Sequence, residues 1–248
     1  MKVDIWSDLV CPFCYIGKRN FEHALELFEH ADTIQVQWRS FELQPGLKTD
    51  GLRNQYEHLA KSKGWSLDYS KKVHDNLADK AKEVGLEYNF DRSIPANTYD
   101  AHRLSHLAAD HNLQDEAEER LFKAHFTDGK DLSDEQTLVE LGIEIGLPEN
   151  EIRDMLQSER FADEVEKDKS AARQVGVQGV PFFVFNDTYA VSGAQAKEAF
   201  LEVLNKAYKE FEEQNKPKIM TDEDSASCLL YTSPSPRDRS LSRMPSSA

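Results

Sequence analysis

The tetrapeptide Cys11-Pro12-Phe13-Cys14 follows the apolar run Val3-Asp4-Ile5-Trp6 and opens a long stretch of helical periodicity. A strand that runs into a helix through a Cys-x-x-Cys pair leaves few folds open. The spacing sets both sulfurs in one helical turn, where they can cycle between dithiol and disulfide. Pro12 suits the first turn, because its missing N–H would have no intrahelical partner there. Cys11 then lies on the N-cap side, facing unsatisfied backbone N–H groups and the positive end of the helix dipole. Both favour a thiolate, so Cys11 is the expected nucleophile and Cys14 the expected resolving thiol.

Two other uses of the pair fit less well. A zinc site needs further Cys or His ligands at suitable spacing. The remaining cysteine, Cys228, lies far away in a tail of different composition, and the His102–His106 pair belongs to an ordinary amphipathic helical segment. No metal is expected. A structural staple closing so short a loop would add little stability, which leaves a redox pair. Far downstream, Val177-Gln178-Gly179-Val180-Pro181-Phe182-Phe183-Val184-Phe185 reads as a loop running into a buried strand. Val-Pro there suits a cis peptide bond or simply a strand start, since proline lacks the ladder donor.

Taken together, these motifs resemble the DsbA-like thioredoxin-fold family. Within it, Ser7–Gly17 and Asn97-Thr98-Tyr99-Asp100-Ala101-His102-Arg103-Leu104 are similar to the FrnE-type branch of cytoplasmic oxidoreductases, and the resemblance spans about residues 1–215. The 2-hydroxychromene-2-carboxylate isomerases and kappa-class glutathione transferases share the layout. They typically carry Ser where this chain has Cys11, and the Cys pair here favours dithiol–disulfide chemistry.

The resemblance implies an α/β, thioredoxin-like fold, β-α-β then β-β-α, with a large all-helical insertion. It implies a protein-disulfide oxidoreductase that needs no cofactor, with glutathione as a reductant or co-substrate. Disulfide- or thiol-containing proteins and small thiols are the implied partners. The catalytic residues would be Cys11 and Cys14. Substrate would meet Pro12, Phe13, Pro181 beside the pair, and the backbone of Val180. Trp6, Phe13 and Phe182 are candidates for an apolar rim. Phe13 brings neither charge nor N–H donor to Cys11, unlike the His of secreted relatives, so a less oxidising couple is expected. Asn97 is either an N-cap or a polar group lining the cleft. Arg103 is expected in an exposed salt bridge, with anchoring of a glutathione carboxylate as the alternative, and Asp8 as a solvated turn residue, with proton acceptance from Cys14 as the alternative. The competing functions are a glutathione-dependent isomerase or transferase, with Cys11 in place of Ser, and a partner-binding module whose Cys pair only senses redox state.

A net charge of −15 over 248 residues argues against nucleic acid, whose phosphates call for Lys and Arg. No run approaches the roughly 20 apolar residues of a membrane span. Met1-Lys2 passes into a strand without an apolar leader segment, so a cytoplasmic setting is expected.

Strands are expected over 3–7 and 34–41, a helix over 12–29, a hairpin of 178–185 with 189–192 around Asn186-Asp187, and a last helix over 194–214. Residues 1–48 and 171–215 would form the thioredoxin-like domain and 49–170 the helical insertion. Residues 216–248 would be a disordered tail, of which 229–248 look like adaptor or vector sequence: six Ser, three Pro, and three Arg against one Asp. FrnE-like proteins often carry a further Cys pair near the C-terminus, of which Cys228 would be the first member.

Overall fold

The computed structural model describes residues 1–49 and 54–216. The tail and Cys228 lie outside the described residues. β1 (Lys2–Ser7), α1 (Pro12–Leu25) and β2 (Gln35–Ser40) form the first unit of the sheet. β1 and β2 pair in parallel, Val3 opposite Val36 and Ile5 opposite Trp38. A parallel pair needs a crossover, and α1 supplies it. β3 (Phe182–Phe185) and β4 (Tyr189–Ser192) form a hairpin, and β3 runs antiparallel to β1. The strand order is β2-β1-β3-β4, followed by α9 (Lys197–Asn215). Asn186 and Asp187 both adopt positive φ in the hairpin turn, which closes through Thr188 N–H to the Phe185 carbonyl at 3.0 Å. Asn and Asp tolerate that backbone better than other side chains with a Cβ.

Among the described residues, eight helical segments lie between β2 and β3. They are α2 (Gln55–Lys63), α3 (Leu67–Glu83), α4 (Tyr99–Asp110), α5 (Gln114–Lys123), a wider π-turn at Ala124–Asp128, α6 (Glu135–Glu144), α7 (Glu149–Leu156) and α8 (Ala162–Val175). The π-turn ends at Gly129, where φ is +70° and a Cβ would stand 2.7 Å from the Arg92 carbonyl oxygen. Only glycine meets both conditions.

Two cores result. One face of the sheet gives Val3, Ile5, Trp38, Phe183 and Phe185 to a core shared with Phe21, Ala24 and Phe28 and with Phe200 and Leu204 of α9. Phe21, Phe183 and Phe200 meet there as edge-on and tilted rings with centroids 4.6–5.7 Å apart, a favoured aromatic geometry. The larger core belongs to the insertion and includes Leu104, Leu107, Leu121, Phe122 and Phe126. On the other side of the sheet Trp6 and Val184 pack with Ala172 of α8.

Helix α1 stops at Leu25, short of the expected 29, because the chain tightens there: Leu27 N–H bonds Ala24 O and Phe28 N–H bonds Leu25 O. Phe28 still reaches the core. The strand expected from 178 begins at Phe182, since Pro181 offers the ladder no donor.

Candidate active site

Cys11 is the N-cap of α1, with extended backbone (φ −91°, ψ 112°) and Pro12 as the first helical residue. Its N–H bonds the Asp8 carbonyl at 2.9 Å, and its own carbonyl accepts the Cys14 N–H at 3.0 Å. These bonds fix the turn between β1 and α1. No side chain caps the helix, and its first turn holds no acidic residue. The exposed N–H groups and the positive helix end therefore fall on Cys11 itself. Both cysteines are free thiols. Cys11 is only 4% exposed and Cys14 1%. Phe13, between them, is 42% exposed.

The Val180–Pro181 peptide bond is cis, and Cys11 Sγ lies 3.5 Å from the Val180 carbonyl oxygen. Gly17 makes the approach possible: a Cβ there would come within 2.9 Å of Pro181 Cγ and 3.4 Å of Phe183. A second fastening comes from the insertion, where the Tyr88 hydroxyl donates to the Pro12 carbonyl at 2.7 Å. Tyr88 resists ionisation, first because it is buried and then because the Cys11 sulfur is near. The Cys14 thiol is pushed well up by burial and by its neighbour Cys11. The Asp8 backbone N–H and the Ser7 hydroxyl pull the other way. Burial and the neighbouring Cys11 thus both oppose ionisation of Cys14.

Behind the pair lies a buried polar group that the sequence reading placed in solvent. Asp8 is fully buried. Its Oδ2 accepts the Leu43 N–H at 2.7 Å, and its Oδ1 stands 3.6 Å from His102 Nε2. Asp8 does open the β1–α1 turn, its carbonyl accepting the Cys11 N–H, but the expected solvation fails: the Leu43 N–H of the segment after β2 covers its carboxylate. His102, equally buried, bonds the Phe41 carbonyl at 3.2 Å. Burial alone would lower its pKa, but the nearby Asp8 carboxylate, with Glu118 and Glu42, outweighs this and raises it.

Arg103 is neither exposed nor free for a ligand. It is buried, with Nε bonded to Arg160 O at 2.9 Å, Nη1 to Asp100 at 2.7 Å, and Nη2 to the carbonyls of Met155 and Ser158. Its planar fork satisfies the chain at the end of α7, a task suited to five fixed donors. Asn97 has both ends of its amide engaged, Nδ2 on Leu47 O at 3.2 Å and Oδ1 accepting the Tyr99 N–H at 2.9 Å. Trp6 is buried, its indole N–H on Asp168 O at 3.0 Å, and Phe182 is half-buried beside it. Of the three rim candidates Phe13 alone is exposed. Tyr88 gave no signal in the sequence, because nothing local marks a tyrosine 76 positions away as a partner of Pro12.

A β-α-β unit whose helix is capped by a Cys-x-x-Cys dithiol, and a β-β-α unit whose leading proline turn faces it, define a thioredoxin fold carrying a helical insertion. The profile of the DsbA-like thioredoxin domain matches residues 2–205. The chain belongs to that family. A probable DsbA oxidoreductase from Streptomyces coelicolor is similar at 38% identity, covering 90% of this chain and 94% of that one, with a TM-score of 0.81. YwbO, an uncharacterised protein of Bacillus subtilis (strain 168), is 27% identical over 206 residues, 82% of this chain and 95% of its own length. The cytosolic disulfide reductase DsbM from Pseudomonas aeruginosa shares the fold at 15% identity and a TM-score of 0.57, covering 86% of this chain and 98% of that one.

Proposed function

We propose that this protein is a thiol–disulfide oxidoreductase working in the cytoplasm on disulfide- or thiol-containing proteins and small thiols. The observation that carries the reading is the placement of two free thiols at the N-terminus of α1, with Cys11 Sγ against the Val180 carbonyl. The Cys11 thiolate attacks one sulfur of a substrate disulfide. A Cys11–substrate disulfide forms and the other substrate sulfur leaves as a thiolate. Cys14 loses its proton and attacks Cys11 Sγ, and the second substrate sulfur leaves. Two electrons have then passed to the substrate, and Cys11 and Cys14 are joined. The buried Asp8 carboxylate behind Cys14 is our candidate for taking its proton. Glutathione, as a dithiol-restoring reductant, would return the pair to its starting state, and no other cofactor enters. Val180 and Pro181, with Pro12 and Phe13, would line the path of the attacked chain.

The test is equilibration in glutathione redox buffers, with the thiols counted by alkylation and mass. A single two-electron transition that vanishes in Cys14→Ser is expected, and the same variant should accumulate the Cys11 mixed disulfide. Saturable glutathione binding with no Cys11–Cys14 disulfide, and activity indifferent to Cys14, would point instead to a glutathione-dependent isomerase or transferase. A cytoplasmic setting is consistent with the cytosolic reductase of the same fold, and cell fractionation tests it.

A further inference from the structure

Two members of the second sequence motif have structural tasks: Asn97 bonds Leu47 and Tyr99, and Arg103 holds the end of α7. His102, between them on α4, has no such task. It is buried, and its Nε2 stands 3.2 Å from the Phe41 carbonyl oxygen and 3.6 Å from Asp8 Oδ1. A carbonyl only accepts, so the bond to Phe41 places a proton on Nε2. The same N–H faces Asp8 from beyond hydrogen-bond range, but both groups are buried and their attraction is weakly screened. Asp8 Oδ2 is fixed by the Leu43 N–H at 2.7 Å, whereas Oδ1 is buried with no hydrogen-bond partner. One short segment after β2 thus grips both groups, the imidazole through Phe41 and the carboxylate through Leu43.

A carboxylate oxygen left unpaired in the interior costs free energy, and it is also an open seat for a proton. The Cys14 sulfur lies against the same residue, with the Asp8 backbone N–H facing it. Resting on the oxidoreductase reading above, we infer that His102 is the positioning residue of the resolving step: its Nε2–H, locked by Phe41, holds Asp8 as a carboxylate with Oδ1 free for the Cys14 proton. The S–H proton passes to Oδ1, and the Cys14 sulfur's electron pair forms the bond to Cys11 Sγ. The substrate sulfur leaves as a thiolate with the pair of the broken bond. Other charged groups around His102 are engaged elsewhere. Glu42 pairs with Lys169 at 2.8 Å, and Glu118 accepts the Ser105 hydroxyl at 2.7 Å through one oxygen. On α4 itself Arg103 is turned to Asp100 and α7, and His106 to Asp168. His125 faces Asp8 from the π-turn, and burial keeps it uncharged at neutral pH. The second oxygen of Glu118 is unpaired like Oδ1, which makes Glu118 the rival base to be tested.

The test uses the full chain with Cys228→Ser, so that Cys11 and Cys14 carry the only thiols, and the symmetrical disulfide of nitrothiobenzoate as substrate, from pH 4.5 to 8. Attack by Cys11 expels one coloured nitrothiobenzoate anion at a rate that rises with reagent concentration. Attack by Cys14 on Cys11 Sγ expels the second at a rate independent of it, so the two steps are read separately. Asp8→Asn should slow the second release about a hundredfold at neutral pH and abolish its acid limb. His102→Leu should slow it about tenfold and move the acid limb about one unit towards higher pH, with the first release unchanged. His102→Gln, whose amide N–H reaches the Nε2 position, should restore most of the rate. His102→Asn, whose amide falls short, should match the leucine variant and replaces it should that one fail to fold. In the Asp8→Asn background His102→Leu should add nothing. Slowing of both releases together, an unmoved acid limb, or a loss that persists without the Asp8 carboxylate marks a structural histidine and overturns the proposal. So does an acid limb that Glu118→Gln abolishes and Asp8→Asn leaves in place. Absence of any second release from the unaltered pair overturns the redox reading itself.

Discussion

A methyl group at Gly17 would fall 2.9 Å from Pro181 Cγ. Alanine gains up to about 1 kcal/mol of helix propensity over glycine, but overpacking a filled contact costs about 1–3 kcal/mol. Strain wins because the obstacle is a proline ring held in a loop, not the end of a flexible chain. Gly17→Ala should lower stability by a net of up to about 2 kcal/mol and slow Cys11 attack by lifting α1 off the proline turn. Urea unfolding and nitrothiobenzoate release read the two effects, and unchanged values for both would refute it. His125 offers a second test. It is fully buried with neither ring nitrogen hydrogen-bonded, and burial lowers its pKa to about 4. The unfolded chain takes up this proton near 6.5 and the folded chain does not, so stability declines as pH falls from 6.5 towards 4. The loss reaches roughly 3 kcal/mol below that window. His102 works oppositely: its raised pKa gives stability present below 6.5 and lost as pH rises through the folded value. Denaturant unfolding from pH 4.5 to 7.5 should show a shallower acid decline in His125→Phe. An unchanged decline would remove His125 as its source.

At the level of elements, strands and the Cys-bearing helix were legible because their signals are local. The Asn186-Asp187 turn marked the hairpin, and the Cys-x-x-Cys pair after an apolar run marked the junction of β1 and α1. What distant contacts decide was not legible. Arg103 reads as a surface residue on α4 until α7 is seen to end against it, with the carbonyls of Met155, Ser158 and Arg160 all turned to one guanidinium. Arg103→Lys keeps the charge but not the planar fork. It should cost about 2–3 kcal/mol through lost charge-assisted hydrogen bonds, measured as a lower Tm with α7 the first segment to exchange its amide hydrogens. Wild-type Tm in the lysine variant would show that the fork is dispensable. Asp8 was misread for the same reason, since nothing near it in sequence announces that Leu43 and His102 will cover it.

On the scale of the molecule, α1 belongs to two cores at once. Phe21 and Ala24, with Phe28 just past the helix end, pack into the sheet core, while Cys14, Tyr15, Ile16 and the N-cap Cys11 belong to the core of the insertion. Lys18, between these faces, is buried against Glu22, Asp115 and Glu119, which ties α1 to α5. Its pKa is raised because the three carboxylates outweigh the cost of burial. The face of α1 toward the insertion carries Cys, Tyr, Ile and Lys, a mixture that no periodicity separates from a helix surface. Among the described residues no helix is long and apolar enough to cross a membrane.

The sharing of α1 bears on how such a protein can change over time. An insertion that merely decorated a finished domain could be trimmed, exchanged or lost while the reactive pair stayed intact. Here the sulfurs are rooted in the inserted helices, through Tyr15 stacked on Phe122 with centroids 5.0 Å apart and Tyr88 bonded to Pro12. A lineage that redesigns the insertion must redesign the buried surroundings of Cys14 with it. Reactive pair and insertion are therefore inherited as one unit, and a transplanted Cys-Pro-Phe-Cys without those helices would carry the letters of the motif but not its surroundings.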